Sequence, residues 1–128
     1  MTALSYQYKL MIDNYMQTKC PTCNPQQGLN PVYAELAKFL RIVGDDNRLR
    51  ILCLLKSGEH CVCQIYPALK LSQNLTSSHL KIMLEFGLLN TRQEWKRNYY
   101  SINHQAFKKY NSLLSNFLKK YEHCDQKH

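Results

Sequence analysis

Gly44-Asp45, Ser57-Gly58, Lys70-Leu71-Ser72 and Gly87 cut the middle of the chain into short segments, and this punctuation constrains the fold more than any other feature of the sequence. Ahead of the first break, Val32, Leu36, Phe39, Leu40 and Val43 recur at helical spacing behind Asn30-Pro31, which places Pro at a first helical position and predicts a helix over Pro31–Val43. Gly44 ends that helix, and Asp45 caps a second over Asp46–Lys56. Ser57-Gly58 closes the second, a short segment covers Glu59–Leu69, and Ser72 caps a longer helix that reaches Phe86 and stops at Gly87. Leu88–Glu94 and Tyr99–Asn103 then read as strands around Trp95-Lys96-Arg97-Asn98, a basic-tipped hairpin in which Asn98 is the candidate for the left-handed conformation.

Two short helices joined by a tight turn have the form of a helix-turn-helix, and the plain alternative is an αα-hairpin. A hairpin wing directly after the second helix favours the first reading, so the expected fold class is mainly α with a small β-hairpin wing, a winged helix-turn-helix. Ser72, Gln73, Asn74, Thr76, Ser77, Ser78, His79 and Lys81 are then candidates for the major groove, and Arg92, Lys96 and Arg97 for the DNA backbone or minor groove. Leu75, Leu80 and Leu84 are expected to hold the helix to the core.

The two ends of the chain are amphipathic. Leu4, Tyr8, Met11, Ile12, Tyr15 and Met16 line one stripe over Ala3–Gln17, and Phe107, Tyr110, Leu113, Leu114, Phe117, Leu118 and Tyr121 line another over His104–His123. These stripes exceed what one small core covers, which predicts a homodimer through the terminal helices. The expected organisation is an N-terminal helix with a cysteine-bearing arm (1–30), a DNA-binding domain (31–103) and a dimerisation helix (104–128).

At 128 residues the chain suits one core, and its net charge of +8 is regional. Half of the excess lies between His79 and Lys109, where six basic residues face only Glu85 and Glu94, as suits a phosphate backbone. No run approaches the roughly 18 apolar residues of a membrane span, and the N-terminus lacks a signal-peptide pattern. A cytoplasmic protein without a membrane partner is expected, and in a reducing compartment six cysteines point to metal or redox chemistry rather than structural disulfides.

Asp46-Asn-Arg48-Leu-Arg50-Ile-Leu-Cys-Leu-Leu, Gly58-Glu-His-Cys61-Val-Cys63-Gln-Ile, Leu71-Ser-Gln-Asn-Leu-Thr-Ser-Ser-His79-Leu-Lys81, Gly87-Leu-Leu and Tyr99-Tyr-Ser-Ile fall in an order and spacing that resemble the ArsR family of metal-responsive repressors, over roughly Pro31 to Tyr121. The resemblance implies a dimeric winged helix-turn-helix that binds double-stranded operator DNA as a transcriptional repressor. One departure is Trp95, where relatives often place Gly.

Cys61-Val-Cys63 resembles the family's soft-metal signature. Residues two apart lie roughly 200° apart around a helix, so two such thiolates can share an ion only by unwinding that turn or by sitting ahead of it. Metal capture is therefore expected to strain the DNA-reading unit, and the plain alternative is a pair of small buried side chains. Cys20-Pro-Thr-Cys23 lies in the linker over residues 18 to 30, on a Pro-bounded turn that can wrap an ion, or form a redox dithiol. Some cadmium- and lead-sensing relatives bring N-terminal cysteines onto the Cys-Val-Cys of the other subunit, and the resemblance implies the same here, although the spacing of this arm differs.

Four thiolates would suit cadmium, lead or zinc, and three would suit arsenite or antimonite, which are preferred by a narrow margin as inducers; no organic cofactor is implied. Cys53 is expected to fill the core, with Cys53 and Cys124 kept as a redox or persulfide-sensing alternative on the strength of sulfide-sensing relatives. The acid and histidine pattern of a zinc site on the last helix is missing. An enzyme is not expected: the rival, a thiol oxidoreductase using Cys20 and Cys23, lacks the strand-helix-strand scaffold for that motif, and no Gly-rich phosphate loop occurs.

Overall fold

A computed structural model describes residues 31–124. The elements run α1 (Pro31–Val43), α2 (Asp46–Leu55), β1 (His60–Cys61), α3 (Val62–Leu69), α4 (Gln73–Phe86), β2 (Leu89–Glu94), β3 (Arg97–Ile102) and α5 (His104–Cys124). The helix over Ala3–Gln17 and the cysteine arm lie outside the described residues.

Each predicted break has a physical cause in the structure. A Cβ on Gly44 would stand 2.7 Å from the Leu40 carbonyl oxygen, so only glycine lets the chain turn this closely against the end of α1. Asp45, in extended backbone, accepts the Arg48 N–H at 3.1 Å and starts α2. Ser72 does the same for α4, accepting from the Leu75 N–H at 3.1 Å. Gly87 closes α4 at φ 92°, left-handed backbone in which a side chain would crowd the following carbonyl.

Between α2 and α3 the structure adds an element that the sequence does not announce. His60 and Cys61 form a two-residue strand against β3, with His60 opposite Tyr100 and Cys61 opposite Tyr99, which makes a three-stranded antiparallel sheet in the order β1-β3-β2. Two residues are too few to show the alternation by which strands are recognised.

The hairpin tip is tighter than expected. Glu94 pairs with Arg97, leaving Trp95 and Lys96 as a two-residue turn, and the left-handed residue is Trp95 at φ 57° rather than Asn98, which lies within β3.

Leu36, Phe39, Ile51, Leu52, Leu55, Ile65, Leu80, Met83, Leu88, Leu89 and Tyr110 form the core. Helix α5 closes it over α1: Tyr110 stacks on Phe39 at 4.4 Å between centroids, and Phe107 meets Phe39 edge-on at 6.0 Å. Glu35 accepts from Lys109 Nζ at 2.7 Å and Tyr110 Oη at 3.0 Å, and these hydrogen bonds hold its carboxyl below the usual carboxylate range. Burial, then the Glu35 carboxylate, push the Tyr110 hydroxyl upward.

Some apolar expectations change. Cys53 is exposed on α2 rather than in the core, because Ile51, Leu52 and Leu55 take the inward face. Leu75 and Leu40 are also largely exposed, whereas Leu80 is fully buried and Leu84 packs at the core's edge. No helix among the described residues is long and apolar enough to cross a membrane.

Candidate nucleic-acid interface and thiol pair

The turn between α3 and α4 is held by α2. Lys70 takes left-handed backbone at φ 55° to end α3, and Arg50 reaches from α2 to donate through Nη2 to the Leu69 carbonyl at 2.7 Å and through Nη1 to Asn47 Oδ1 at 3.2 Å. Gln73, Asn74, Ser77, Ser78 and Lys81 are exposed along α4, as major-groove candidates must be. Among the described residues Lys81 pairs with Glu85 one turn on, at 4.0 Å between two exposed side chains.

Two candidates point the other way. Thr76 is fully buried and its hydroxyl donates to the Ser72 carbonyl at 2.9 Å, a contact internal to the first turn. His79 is 8% exposed, and its Nδ1 accepts from Arg48 Nε at 3.1 Å. A guanidinium only donates, so Nδ1 must offer a lone pair and the ring proton sits on Nε2. Arg48 also donates through Nη1 to the Ile42 carbonyl at 3.0 Å. Asp45, Arg48 and His79 thus tie the end of α1, the start of α2 and the middle of α4 into one network, in which the Arg48 N–H bond holds the Asp45 carboxyl below its ordinary range. Thr76 and His79 are positioning residues, corrected here from groove contacts: on a helix with 3.6 residues per turn they share the inward face with Leu80 and Met83.

The wing candidates divide likewise. Lys96 and Arg97 stand exposed at the tip. Arg92 is held back: Nη2 reaches Glu59 Oε1 at 2.5 Å, Nη1 reaches Glu94 Oε2 at 2.8 Å, and the guanidinium lies 4.9 Å from the centre of the Tyr99 ring. Glu59 and then Glu94 raise its basicity further, and the Arg92 bond lowers the Glu59 carboxyl. In the free chain two carboxylates engage this half-exposed cation and brace the wing, so a phosphate contact through Arg92 would compete with them. Glu59 had no signal in the sequence, since its partner is 33 residues away.

Cys61 and Cys63 come together at the joint of these parts. Cys61 sits in extended backbone ahead of α3, its N–H donating to Gln64 Oε1 at 3.0 Å, while Cys63 lies in the first turn of the helix. The extended conformation at Cys61 swings its side chain out of the helical progression. The two sulfurs meet as a disulfide across a Cα separation of 5.2 Å, with Cys61 buried and Cys63 exposed. Of the two arrangements by which the pair could share an ion, unwinding the turn or sitting ahead of it, the structure has the second, with Cys61 ahead of the first turn of α3.

Reduced, the pair offers two soft donors suited to a soft ion, but among the described residues no third Cys, His, Asp or Glu joins them, Cys53 included. Cys20 and Cys23 lie outside the described residues, as does the side chain of Cys124.

Comparison with known proteins agrees with this architecture. Residues 45–91 match the family described as "Bacterial regulatory protein, arsR family". The chain is 38% identical over 72 residues to an arsenical resistance operon repressor of Staphylococcus aureus, covering 56% of this chain and 69% of that protein. It is 32% identical over 80 residues to a cadmium resistance transcriptional regulatory protein CadC homolog of the same organism, covering 62% and 64%. Among solved structures, the homodimeric winged helix-turn-helix DNA-binding domain Mb0332 of Mycobacterium bovis superposes with a TM-score of 0.56 at 25% identity over 79% of this chain and 95% of that one. With its helix-turn-helix, wing and cysteine pair in the expected order, the chain belongs to the arsR family of bacterial regulatory proteins, which are DNA-binding transcriptional regulators and not enzymes.

Proposed function

We propose that this protein is a cytoplasmic homodimeric repressor that binds operator DNA through α4 and the wing, and lets go when the thiolates of Cys61 and Cys63 capture a soft metal or metalloid ion. The observation that carries the reading is the meeting of the two sulfurs where the wing sheet joins the helix-turn-helix. Cys61 is the strand residue opposite Tyr99, and Tyr99 is opposite Arg92, so one row crosses all three strands from the thiol pair to the wing. Glu59, two residues before Cys61, grips Arg92 directly. An ion that re-seats Cys61 therefore shifts the wing against α4, and the difference in DNA affinity between the two arrangements is the allosteric coupling, typically about 1–3 kcal/mol.

Further donors must complete the ion's shell, and Cys20 and Cys23, from the same or the partner subunit, are the proposed source. Arsenite and antimonite are the preferred inducers over cadmium, lead and zinc, in keeping with the relative named for arsenical resistance. Release of labelled operator DNA against a panel of these five ions tests the reading: release by cadmium or lead and never by arsenite refutes the preference, and release by none refutes metal sensing. A redox or persulfide sensor using Cys53 and Cys124 predicts release by persulfide instead, and the exposure of Cys53 is compatible with it.

The exposed Arg97 is expected to serve as a phosphate contact, so Arg97→Ala should weaken binding to all duplexes alike and lower the salt slope by about one. A change confined to one base position would assign it a different role. Residues 1–30 and 104–128 are proposed as the dimer-forming ends around the DNA-binding domain 31–103. Sedimentation at micromolar concentration should give a dimer, and a monomer would refute that arrangement.

A further inference from the structure

Trp95 carries two costs that nothing among the described residues offsets. Its side chain is 93% exposed, leaving an indole in water, and its φ of 57° lies in left-handed backbone where Gly or Asn is the ordinary occupant. Either of those residues would relieve the strain and remove the exposed ring together.

The surroundings give the ring an outward role. Strand β1 reaches β3 only at Tyr99 and Tyr100, so the Gln93–Asn98 and Glu94–Arg97 pairs run beyond the third strand, and every residue from Asn90 to Asn98 is exposed. Glu94, the acid next to the indole, has its carboxylate occupied by Arg92, while Lys96 and Arg97 stand exposed and add two positive charges. The hairpin is also fixed to α4. The Asn103 side chain donates to the Gly87 carbonyl at 3.0 Å and its N–H to the Leu88 carbonyl at 2.9 Å, so the tip keeps a set position relative to the helix that presents Gln73, Asn74, Ser77 and Ser78.

We propose that Trp95 is a wedge that enters the minor groove of duplex DNA and stacks at a base step, with Lys96 and Arg97 on the flanking phosphates. The proposal rests on the DNA-binding reading above. An apolar ring between cations matches a groove whose walls are phosphates and whose floor is stacked bases, and wedges of this kind favour flexible pyrimidine–purine steps. A second copy of the chain, itself basic, would bring like charges against Lys96 and Arg97.

Because Trp95 is the one tryptophan in the sequence, emission excited at the red edge, where indole absorbs and the nine tyrosines do not, reports this residue alone. Titration with a short A·T-rich duplex containing TA steps should quench that emission and shield it from acrylamide, in step with the binding isotherm read by anisotropy of the same duplex carrying a fluorescent label. Trp95→Gly should weaken binding about tenfold and Trp95→Phe by no more than about threefold, as expected for loss and retention of a stacking ring. Glycine suits the left-handed backbone, and a thermal melt no lower than wild type would show that the Gly variant is folded. Duplex binding with unchanged acrylamide access, and a Gly variant of wild-type affinity, would overturn the wedge while leaving the repressor reading intact. Shielding of the indole without DNA, lost on dilution to monomer, would also overturn it by assigning the ring to a second copy. Absence of any anisotropy change for the wild-type chain at low salt would overturn the DNA-binding reading itself, and the wedge with it.

Discussion

Cys63→Ser is expected to leave operator binding within about twofold of wild type while abolishing ion-driven release, a loss of the whole coupling, which is about 5–150-fold in affinity for typical allosteric regulators. The measurement is the operator isotherm with and without the inducing ion. Cys63 is exposed in the first turn of α3, away from the residues offered for DNA reading, so its loss chiefly removes a ligand. Cys61→Ser should behave alike, with a modest stability cost because a hydroxyl replaces a sulfur at a site only 2% exposed. Loss of DNA binding in both variants would instead make the pair structural. Replacing Cys20 and Cys23 then fixes the ligand count. A four-sulfur site must fail without them, whereas a three-coordinate metalloid site completed by another thiol survives.

The second large effect concerns a residue outside both the exposed face of α4 and the cysteine pair. Arg48→Met should destabilise the fold by about 2–3 kcal/mol in urea titration, since it removes two charge-assisted hydrogen bonds and strands the buried His79 Nδ1 and the Ile42 carbonyl without their donor. Operator affinity should fall as well, because α4 loses its tie to α2. His79→Leu removes the acceptor and should cost less. The double variant should be clearly less destabilised than the sum of the two, as for residues that share one interaction. Strict additivity would show that the Arg48–His79 bond contributes nothing to stability.

The boundaries of the helices were legible because each is set by a local device. Asp45 and Ser72 cap helices through bonds three residues long, Gly87 ends one through its own backbone, and Pro31 begins one; none of these needs a distant partner. The hairpin was legible for the same reason, but its register was not. The sequence spread the tip over Trp95 to Asn98, whereas pairing of Glu94 with Arg97 forces a two-residue turn and puts the strain on Trp95. Local preference favours Asn in left-handed backbone, and the ladder overrides it.

The composition of α4 likewise showed that it carries polar groups suited to base edges, but not which of them face outward. Thr76 and His79 fall on the inward arc with Leu80 and Met83, where a bond within the first turn and the Arg48 guanidinium satisfy them, while Leu75 turns out to solvent. A helical wheel orders residues around an axis; the direction of the core is set by what packs against it.

From the sequence alone came the order of elements, the winged helix-turn-helix architecture and the identity of the Cys61–Cys63 pair, since capping, periodicity and motif spacing are properties of short stretches of chain. Only the tertiary structure decided how that pair is joined to the rest. The strand at His60–Cys61 exists because β3 is there to pair with it, and the Glu59–Arg92 bridge spans 33 residues that no local pattern connects. Those two contacts turn a cysteine motif beside a helix into one anchored in the sheet that carries the wing, and the extended backbone at Cys61 lets the sulfurs meet without disturbing the helix.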